Sequence, residues 1–117
     1  MNNVLRAQTN RLLVTKADSA SFPLTINYLD GTNFIPDPAK GEKVTFTVRK
    51  GPKSEEYPVI MQKDIPGTRI DFEPADTREM DYGSYFFDIE AVWTDDDGEL
   101  ATQTVIKGQF VVLVEAT

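Results

Sequence analysis

The sequence contains no cysteine and no histidine among its 117 residues. Thiol nucleophiles, imidazole bases, Ser-His-Asp triads and the usual zinc-ligand sets are therefore excluded. Catalysis by carboxylates alone, or with a metal ion held by oxygen ligands, is the enzyme chemistry that remains. Because no disulfide can form, any fold must be held by packing alone. We expect a protein that is not an enzyme and needs no cofactor.

Long apolar runs are also missing, and no stretch approaches the roughly 20 residues that span a bilayer. The first six residues, MNNVLR, lack the apolar segment of a secretory signal. With Met1 as the natural start, we expect synthesis in a cytoplasm and no membrane partner. The length and a hydrophobic content of 40% predict one domain with a sizeable core.

Basic residues are scarce in the second part of the chain. Residues 1–70 carry seven acidic and ten basic side chains, whereas residues 71–117 carry twelve and two. The net charge of −7 argues against nucleic acid as a partner, because neutralising phosphates needs a basic patch. The acidity is explained either by solubility or by oppositely charged surfaces that meet in a head-to-tail assembly.

Alternation of apolar and polar residues is what the sequence has in abundance, above all in residues 84–93, SYFFDIEAVW. Successive side chains of a strand point to opposite faces, so the odd-numbered residues from Tyr85 to Trp93 share one apolar face. A helix would scatter Asp88 and Glu90 among the aromatics, so the pattern predicts a strand. Tyr85 is placed for a tyrosine corner, with its ring inward and its hydroxyl bonded to upstream backbone.

Six further segments show strand patterns separated by turn signals: residues 11–15, 19–28, 43–50, 57–63, 68–73 and 100–114. Gly108 in the last of them predicts a β-bulge. Residues 29–42 are expected to form a long loop, and residues 74–80 a single helical turn. Residues 1–10 are polar and unpatterned, which predicts a mobile amino-terminal arm ahead of a domain over residues 11–117.

Two motifs resemble the immunoglobulin-like domains. Asp81-x-Gly83-x-Tyr85 resembles the start of strand F, and residues 74–80 resemble the short helical turn that links strands E and F. Phe87 stands where an antibody domain has its second cysteine. The resemblance implies an all-β fold, a seven-stranded immunoglobulin-like antiparallel sandwich without a disulfide.

Three stretches are also similar to short tail and baseplate proteins of bacteriophages, especially the amino-terminal domain of baseplate upper proteins. They are residues 13–19, residues 44–50, and residues 83–89 together with 104–112. This resemblance implies a non-enzymatic virion structural protein in the tail, baseplate, adaptor or capsid decoration. Its partners would be further copies of itself and other virion proteins, after synthesis in the host cytoplasm. The alternative is a carbohydrate- or receptor-binding β-sandwich module.

Candidate interface residues fall into an aromatic and a basic group. The inward alternation does not accommodate every aromatic, and four remain for other roles: Phe34, Tyr57, Tyr82 and Phe86. Packing of loops onto the core, an assembly interface and sugar binding all remain open for them. The basic group consists of Arg49, Lys50 and Lys53, which flank a hairpin. These side chains form either a solvent-exposed hairpin tip or a contact with the acidic surface of a neighbouring molecule. Residues 1–10 and 29–42 are further expected contacts.

Acidic residues suggest two other sites, and neither pattern is strong. Asp95-Asp96-Asp97-Gly98 supplies carboxylates for calcium but lacks the alternate spacing and distal glutamate of an EF-hand, which favours a tight turn. Asp88 and Glu90 would lie roughly 7 Å apart on one strand face. That separation falls in the range of paired glycosidase carboxylates, but acid pairs are common on solvated strands. We therefore expect no catalytic residue and no metal ligand.

Overall fold

The computed structural model describes residues 5–7, 11–51 and 57–114. These residues are mostly β, with 58% of them in strands and 7% in helices. Besides a 3-10 turn at Pro38–Lys40, there is one helical turn, α1 (Pro74–Thr77). Neither described helix is long and apolar enough to cross a membrane. The described strands are β1 (Leu5–Ala7), β2 (Arg11–Thr15), β3 (Ala20–Pro23), β4 (Ile26–Tyr28), β5 (Lys43–Arg49), β6 (Val59–Ile65), β7 (Arg69–Phe72), β8 (Gly83–Thr94) and β9 (Leu100–Leu113).

Five strands form the larger sheet, in the order β2-β9-β8-β5-β6. The pairs β9-β8, β8-β5 and β5-β6 are antiparallel, but β2 runs parallel to β9. The expectation of a purely antiparallel fold is therefore wrong at this edge, and the sheet is mixed. Parallel neighbours need a long crossover connection, and here the crossover contains the rest of the domain.

The second layer consists of two antiparallel strand pairs, β1-β4 and β3-β7. Strands β3 and β4 divide the single strand that the sequence predicts over residues 19–28. Pro23 cannot donate a backbone hydrogen bond, and the pairing partner changes from β7 to β1 beyond it. The predicted alternation is nevertheless confirmed, because Leu24 and Ile26 are buried.

The core lies between the two layers and makes the fold sandwich-like. The predicted inward face of residues 84–93 is confirmed, since none of its side chains from Tyr85 to Trp93 is more than 4% exposed. The Phe72 ring on β7 bridges the layers. Its centroid lies 5.4 Å from that of Phe46 on β5 and 5.4 Å from that of Phe110 on β9. Edge-to-face and tilted ring contacts of this kind stabilise a core beyond the area they bury.

The tyrosine corner predicted at Tyr85 is confirmed. Its hydroxyl donates to the Asp81 carbonyl at 2.7 Å, and the ring is 4% exposed. Burial raises the pKa of the Tyr85 phenol, and the charge of Asp81 raises it further. Gly83 between them has a φ of 126°, a conformation that side chains disfavour.

The helical turn predicted near residues 74–80 is present as α1. Its first position is Pro74, where a missing N–H costs nothing. Glu73 and Asp76 form a capping box that satisfies backbone N–H groups at the start of the turn. Thr77 is buried, and its hydroxyl accepts a 2.8 Å hydrogen bond from the Ala17 N–H. The turn is thereby tied to the segment that follows β2.

Two register shifts occur in the larger sheet, and neither lies at Gly108. Ile89 pairs with Ile106 and Glu90 with Thr104, so the extra residue on β9 is Val105. The predicted bulge at Gly108 is therefore wrong by three residues. Gly108 lies in register opposite Phe87. A second shift leaves Ile60 unpaired on β6.

Strand β1 lies within residues 1–10, the segment predicted to be a mobile arm. Leu5 is 2% exposed and belongs to the core. Its backbone N–H donates to Gln103 Oε1 at 3.0 Å, and Gln103 Nε2 donates to its carbonyl at 2.8 Å. One glutamine on β9 thus holds β1 as a neighbouring strand would. Residues 1–4 and 8–10 lie outside the described residues, so the arm stays a prediction there.

The segment predicted as a long loop, residues 29–42, is tied to the sandwich at several points. The Phe34 N–H donates to the Ile26 carbonyl at 2.7 Å. Glu42 is 7% exposed, and its carboxylate accepts from the backbone N–H groups of Asp37 and Thr94 at 3.0 and 2.9 Å. A buried carboxylate with two such donors is well satisfied.

Candidate functional site

The side of the five-stranded sheet that faces away from the core carries a groove, the outer-face groove. Its volume is about 840 Å³, and β5, β6, β8 and β9 all contribute to it. Its lining side chains include Thr47, Arg49, Gln62, Phe86, Asp88, Glu90, Thr104, Lys107 and Gln109. A sheet face with its own groove is a candidate binding site.

Sheet register brings the lining residues together. Phe86 on β8 lies directly between Arg49 on β5 and Gln109 on β9. One row further along, Asp88 lies between Thr47 and Lys107. Because opposite residues point to the same face, all of these side chains share the outward side.

Thr47 forms the floor of the groove. It is 4% exposed although it points outward, and its hydroxyl accepts a 3.0 Å hydrogen bond from Gln62 Nε2. Longer side chains on the neighbouring strands therefore cover it. The outward face is recessed here rather than flat.

An ion pair lies within the groove. Arg49 Nη1 is 3.3 Å from Asp88 Oδ2, and the two side chains are 19% and 28% exposed. Burial raises the pKa of the Asp88 carboxyl, while the charges of Arg49 and Lys107 oppose that rise. Arg49 Nε is buried and has no hydrogen-bond partner among the described residues. If the Arg49 guanidinium rotated toward a ligand, no hydrogen bond at Nε would have to be broken.

Three of the predicted interface residues belong to the groove or its rim. Phe86, which is 42% exposed, and Arg49 line it as direct neighbours. Tyr57 is 37% exposed and packs against Gly51, another lining residue. A Cβ at position 51 would overlap the Tyr57 ring, so a glycine is required for this contact.

The other predicted interface residues lie elsewhere. Phe34 is 1% exposed, with its ring edge-to-face against Tyr28 at 5.7 Å, so it packs onto the core and is not an interface residue. Lys50 Nζ lies 4.4 Å from the centroid of the inward-facing Tyr85 ring. Tyr82 is 48% exposed, with Lys16 Nζ 4.8 Å from its ring centroid. Lys53 lies outside the described residues.

Polar side chains that the sequence alone did not single out complete the groove, including Gln62, Lys107 and Gln109. They come from strands far apart in the chain, and only the register places them beside Phe86 and Asp88. The one signal in the sequence was their outward position in the alternating pattern. Because every solvent-facing strand residue has such a position, the signal does not single them out.

Part of the uneven charge of the chain is paired inside the fold. Three ion pairs among the described residues each join a base from residues 1–70 to an acid from residues 71–117. They are Arg49–Asp88, Lys63–Asp76 and Arg69–Asp71. The asymmetry along the sequence thus has an explanation within one chain, and the head-to-tail charge hypothesis gains no support from it.

The acidic turn is structural. Asp95 Oδ1 accepts from the N–H groups of Asp97 and Glu99 at 2.9 and 3.0 Å, and Gly98 has the positive φ that the turn needs. This confirms the predicted tight turn. Within the described ranges no cluster of three acidic side chains is arranged to hold a metal ion.

The two edges of the larger sheet differ. On β6, Ile60 forms a bulge and Lys63 points inward, opposite Phe46. Lys63 Nζ donates to the Asp71 carbonyl at 2.7 Å and to Asp76 Oδ2 at 2.6 Å. Bulges and inward-pointing charges are the devices that keep another strand from pairing with an edge.

The β2 edge has neither device in the part of the chain that the structure describes. Leu12 and Val14 point into the core, and Leu13 points outward with 43% of its surface exposed. Leu113 and Val114 at the adjacent end of β9 are 39% and 68% exposed. Among the described residues, this edge therefore has no strand paired with its outer side and carries exposed apolar side chains.

Comparison of the sequence with protein-family models and with curated proteins found no match.

Proposed function

We propose that the chain is a non-enzymatic structural subunit of a phage virion that assembles by pairing its β2 edge with a second copy. The observation that supports the assembly role is the contrast, within the described residues, between a protected β6 edge and a β2 edge without such protection. The virion location, in a tail, baseplate, adaptor or capsid decoration, rests on the similarity of three stretches to baseplate upper proteins. Synthesis in the host cytoplasm and partners among other virion proteins belong to the same proposal.

An immunoglobulin-like topology is part of this proposal. The strand order β6-β5-β8-β9 corresponds to C′-C-F-G of a variable-type domain, and the pairs β1-β4 and β3-β7 correspond to A-B and B-E. When β1 and β2 are counted as strand A, and β3 and β4 as strand B, the strands number seven. The tyrosine corner at Tyr85, where strand F begins, supports the same correspondence.

Two β2 strands fit together as an antiparallel pair centred on Leu13. In that register Leu12 lies opposite Val14, and Leu13 lies opposite its own copy. Arg11 lies opposite Thr15, so no like charges face each other. The contact is isologous, with the same patch on both subunits, as in most homodimers. It would join the two larger sheets into one of ten strands.

Contacts with other virion proteins are expected from residues 1–10 and from the loop of residues 29–42. The loop supports this because Leu29 and Ile35 are 49% and 58% exposed. Its backbone is tied to the sandwich, so these side chains are held out toward a partner. Ordered apolar side chains lose little entropy when they are bound.

Leu13→Lys tests the edge contact, with Ile60→Lys as the matched control. The two residues are 43% and 42% exposed, so neither change disturbs the core. In light scattering and sedimentation we expect a dimer for the unmodified chain and for Ile60→Lys. Leu13→Lys should be a monomer, because two lysines would face each other at the centre of the pair. An unmodified chain that is monomeric at millimolar concentration would contradict the proposal.

The virion assignment has a separate test. Mass spectrometry of purified particles from cells that make this chain should detect it at a stoichiometry of several copies per particle. Detection only in the particle-free lysate would rule out the virion role while leaving the edge contact to the previous experiment.

A further inference from the structure

The outer-face groove is polar, which distinguishes it from the β2 edge. Among its described lining residues, Phe86 is the large apolar side chain with substantial exposure. The centre of a protein–protein interface is normally apolar and depleted of charge. The groove therefore suits a ligand that offers many hydrogen-bonding groups rather than the apolar face of another protein.

The lining offers donors and acceptors in mixture. The amides of Gln62 and Gln109 each contain both a donor and an acceptor, and the hydroxyl of Thr104 serves as either. Asp88 and Glu90 add acceptors. A sugar hydroxyl both donates and accepts, so it can bond to every one of these groups. Ligands that only accept, such as phosphate, would leave the acidic and amide oxygens without partners.

Phe86 gives the groove a stacking surface. Its register partners, Arg49 and Gln109, lie on either side of it with Cβ separations of about 5 Å. The face of an aromatic ring carries partial negative charge and attracts weakly positive hydrogens. The C–H face of a pyranose ring presents such hydrogens while its hydroxyls point sideways. A sugar lying on Phe86 would therefore direct its hydroxyls at polar neighbours.

The charges in the groove balance. Arg49 and Lys107 are cationic, and Asp88 and Glu90 are anionic. With no net local charge, the groove has no field that would concentrate a polyanion or a polycation. The balance favours an uncharged ligand.

We infer that the outer-face groove binds a neutral oligosaccharide, with Phe86 as the stacking platform. The groove volume of about 840 Å³ lies in the range of small-molecule sites. From Gln62 on β6 to Gln109 on β9 it crosses four strands, about 14 Å at the usual strand spacing. That width accommodates a chain of several sugar rings. The inference does not rest on the assembly role, because β2 contributes no residue to the groove.

NMR titration of the labelled full-length chain tests the site. The probes are hexamers of β-glucose, α-glucose, mannose and N-acetylglucosamine, with hexagalacturonate as the charged comparison. We expect saturable shifts for at least one neutral hexamer, confined to amides of β5, β6, β8 and β9 that line the groove. Hexagalacturonate should bind those amides more weakly.

Variants then test whether Phe86 is the stacking platform. Phe86→Ala should raise the Kd at least tenfold, which is about 1.4 kcal/mol. Tyr82→Ala is the matched control, since its aromatic ring is 48% exposed outside the groove, and its Kd should stay unchanged. Gln62→Ala, at an exposed position, should raise the Kd about fivefold through one lost hydrogen bond. Leu13→Lys should leave the Kd unchanged, which separates this site from the assembly contact.

Three results would overturn the inference. The first is the absence of groove shifts with all four neutral hexamers. The second is saturable binding whose shifts map outside the groove, or that Phe86→Ala and Gln62→Ala leave intact. The third is tighter binding of hexagalacturonate than of any neutral hexamer at the same amides.

Discussion

Asp88 is held between opposing electrostatic effects, and its ionisation can be measured directly. Burial raises the pKa of its carboxyl above the ordinary value of 3.8, while Arg49 and, to a smaller extent, Lys107 lower it. Removing Arg49 should therefore raise this pKa further. In carboxyl carbon NMR titrations we expect a midpoint above 3.8 in the unmodified chain. The midpoint should be higher still in Arg49→Met, with a smaller rise in Lys107→Met.

The sign of the stability effect follows from the raised pKa. A carboxyl that binds its proton more tightly when folded contributes stability that is fully present below its unfolded pKa. That contribution is lost as the pH rises through the folded pKa. Arg49→Met should shift the loss of this contribution to higher pH. In urea unfolding, the fall in the free energy of unfolding that depends on Asp88 should therefore occur over a higher pH range than in the unmodified chain. A midpoint below the ordinary value would contradict the role assigned to burial.

At the scale of elements, β1 pairs with β4 on one side, and on the other the Leu5 N–H and carbonyl bond to a single side chain of the larger sheet, Gln103. Gln103→Met keeps the bulk but leaves the Leu5 N–H and carbonyl without their partners. We expect the free energy of unfolding to fall by about 2 kcal/mol, because both groups are partly buried. Amide exchange at Leu5 should also become much faster relative to the core strands.

Gln109→Met is the control for this prediction. Gln109 also lies on β9, but it is exposed and makes a 3.3 Å hydrogen bond to Ser84. Its replacement should change the unfolding free energy by less than about 0.5 kcal/mol. Equal losses in the two variants would show that β1 is not held by Gln103.

Each of the seven predicted segments overlaps described strands, because most of them have a clear period of two; the facing of residues 57–63 was ambiguous, and the bulge at Ile60 interrupts the pairing there. The three residues of β1 are too few for a pattern, and their partner Gln103 lies 98 positions away. The sequence also did not predict that β2 runs parallel to β9, since the alternation of a strand is the same whether it pairs in the parallel or the antiparallel direction. In the groove, alternation predicted that Phe86 and Arg49 point outward. It did not predict their neighbours, because register is a property of paired strands.

Phe34 shows that periodicity does not predict the burial of a loop residue. It follows a turn and lies two residues before Pro36, so no periodic pattern fixes its direction. The hydrogen bond from its N–H to the Ile26 carbonyl places it beside β4, and its ring then packs on Tyr28. Long-range backbone contacts of this kind decide which loop aromatics are buried.

For the whole molecule, edge pairing links stability to concentration. A contact made only between folded chains stabilises them by mass action. The Tm of the unmodified chain should therefore rise by several degrees over about a hundredfold increase in protein concentration. Leu13→Lys should melt at a constant temperature over the same range. Calorimetry at matched concentrations makes the comparison, and an unmodified Tm that does not move would count against the dimer.

The inward position of Lys63 limits how far such a sheet can grow. Once two copies have joined through β2, both outer borders are β6 strands, each with the bulge at Ile60 and an ammonium group anchored to Asp76. A third copy finds no strand to extend. Under the proposed β2 pairing, association through these sheet edges would stop at two copies, and we expect the chain to resist fibril formation even when it is highly concentrated.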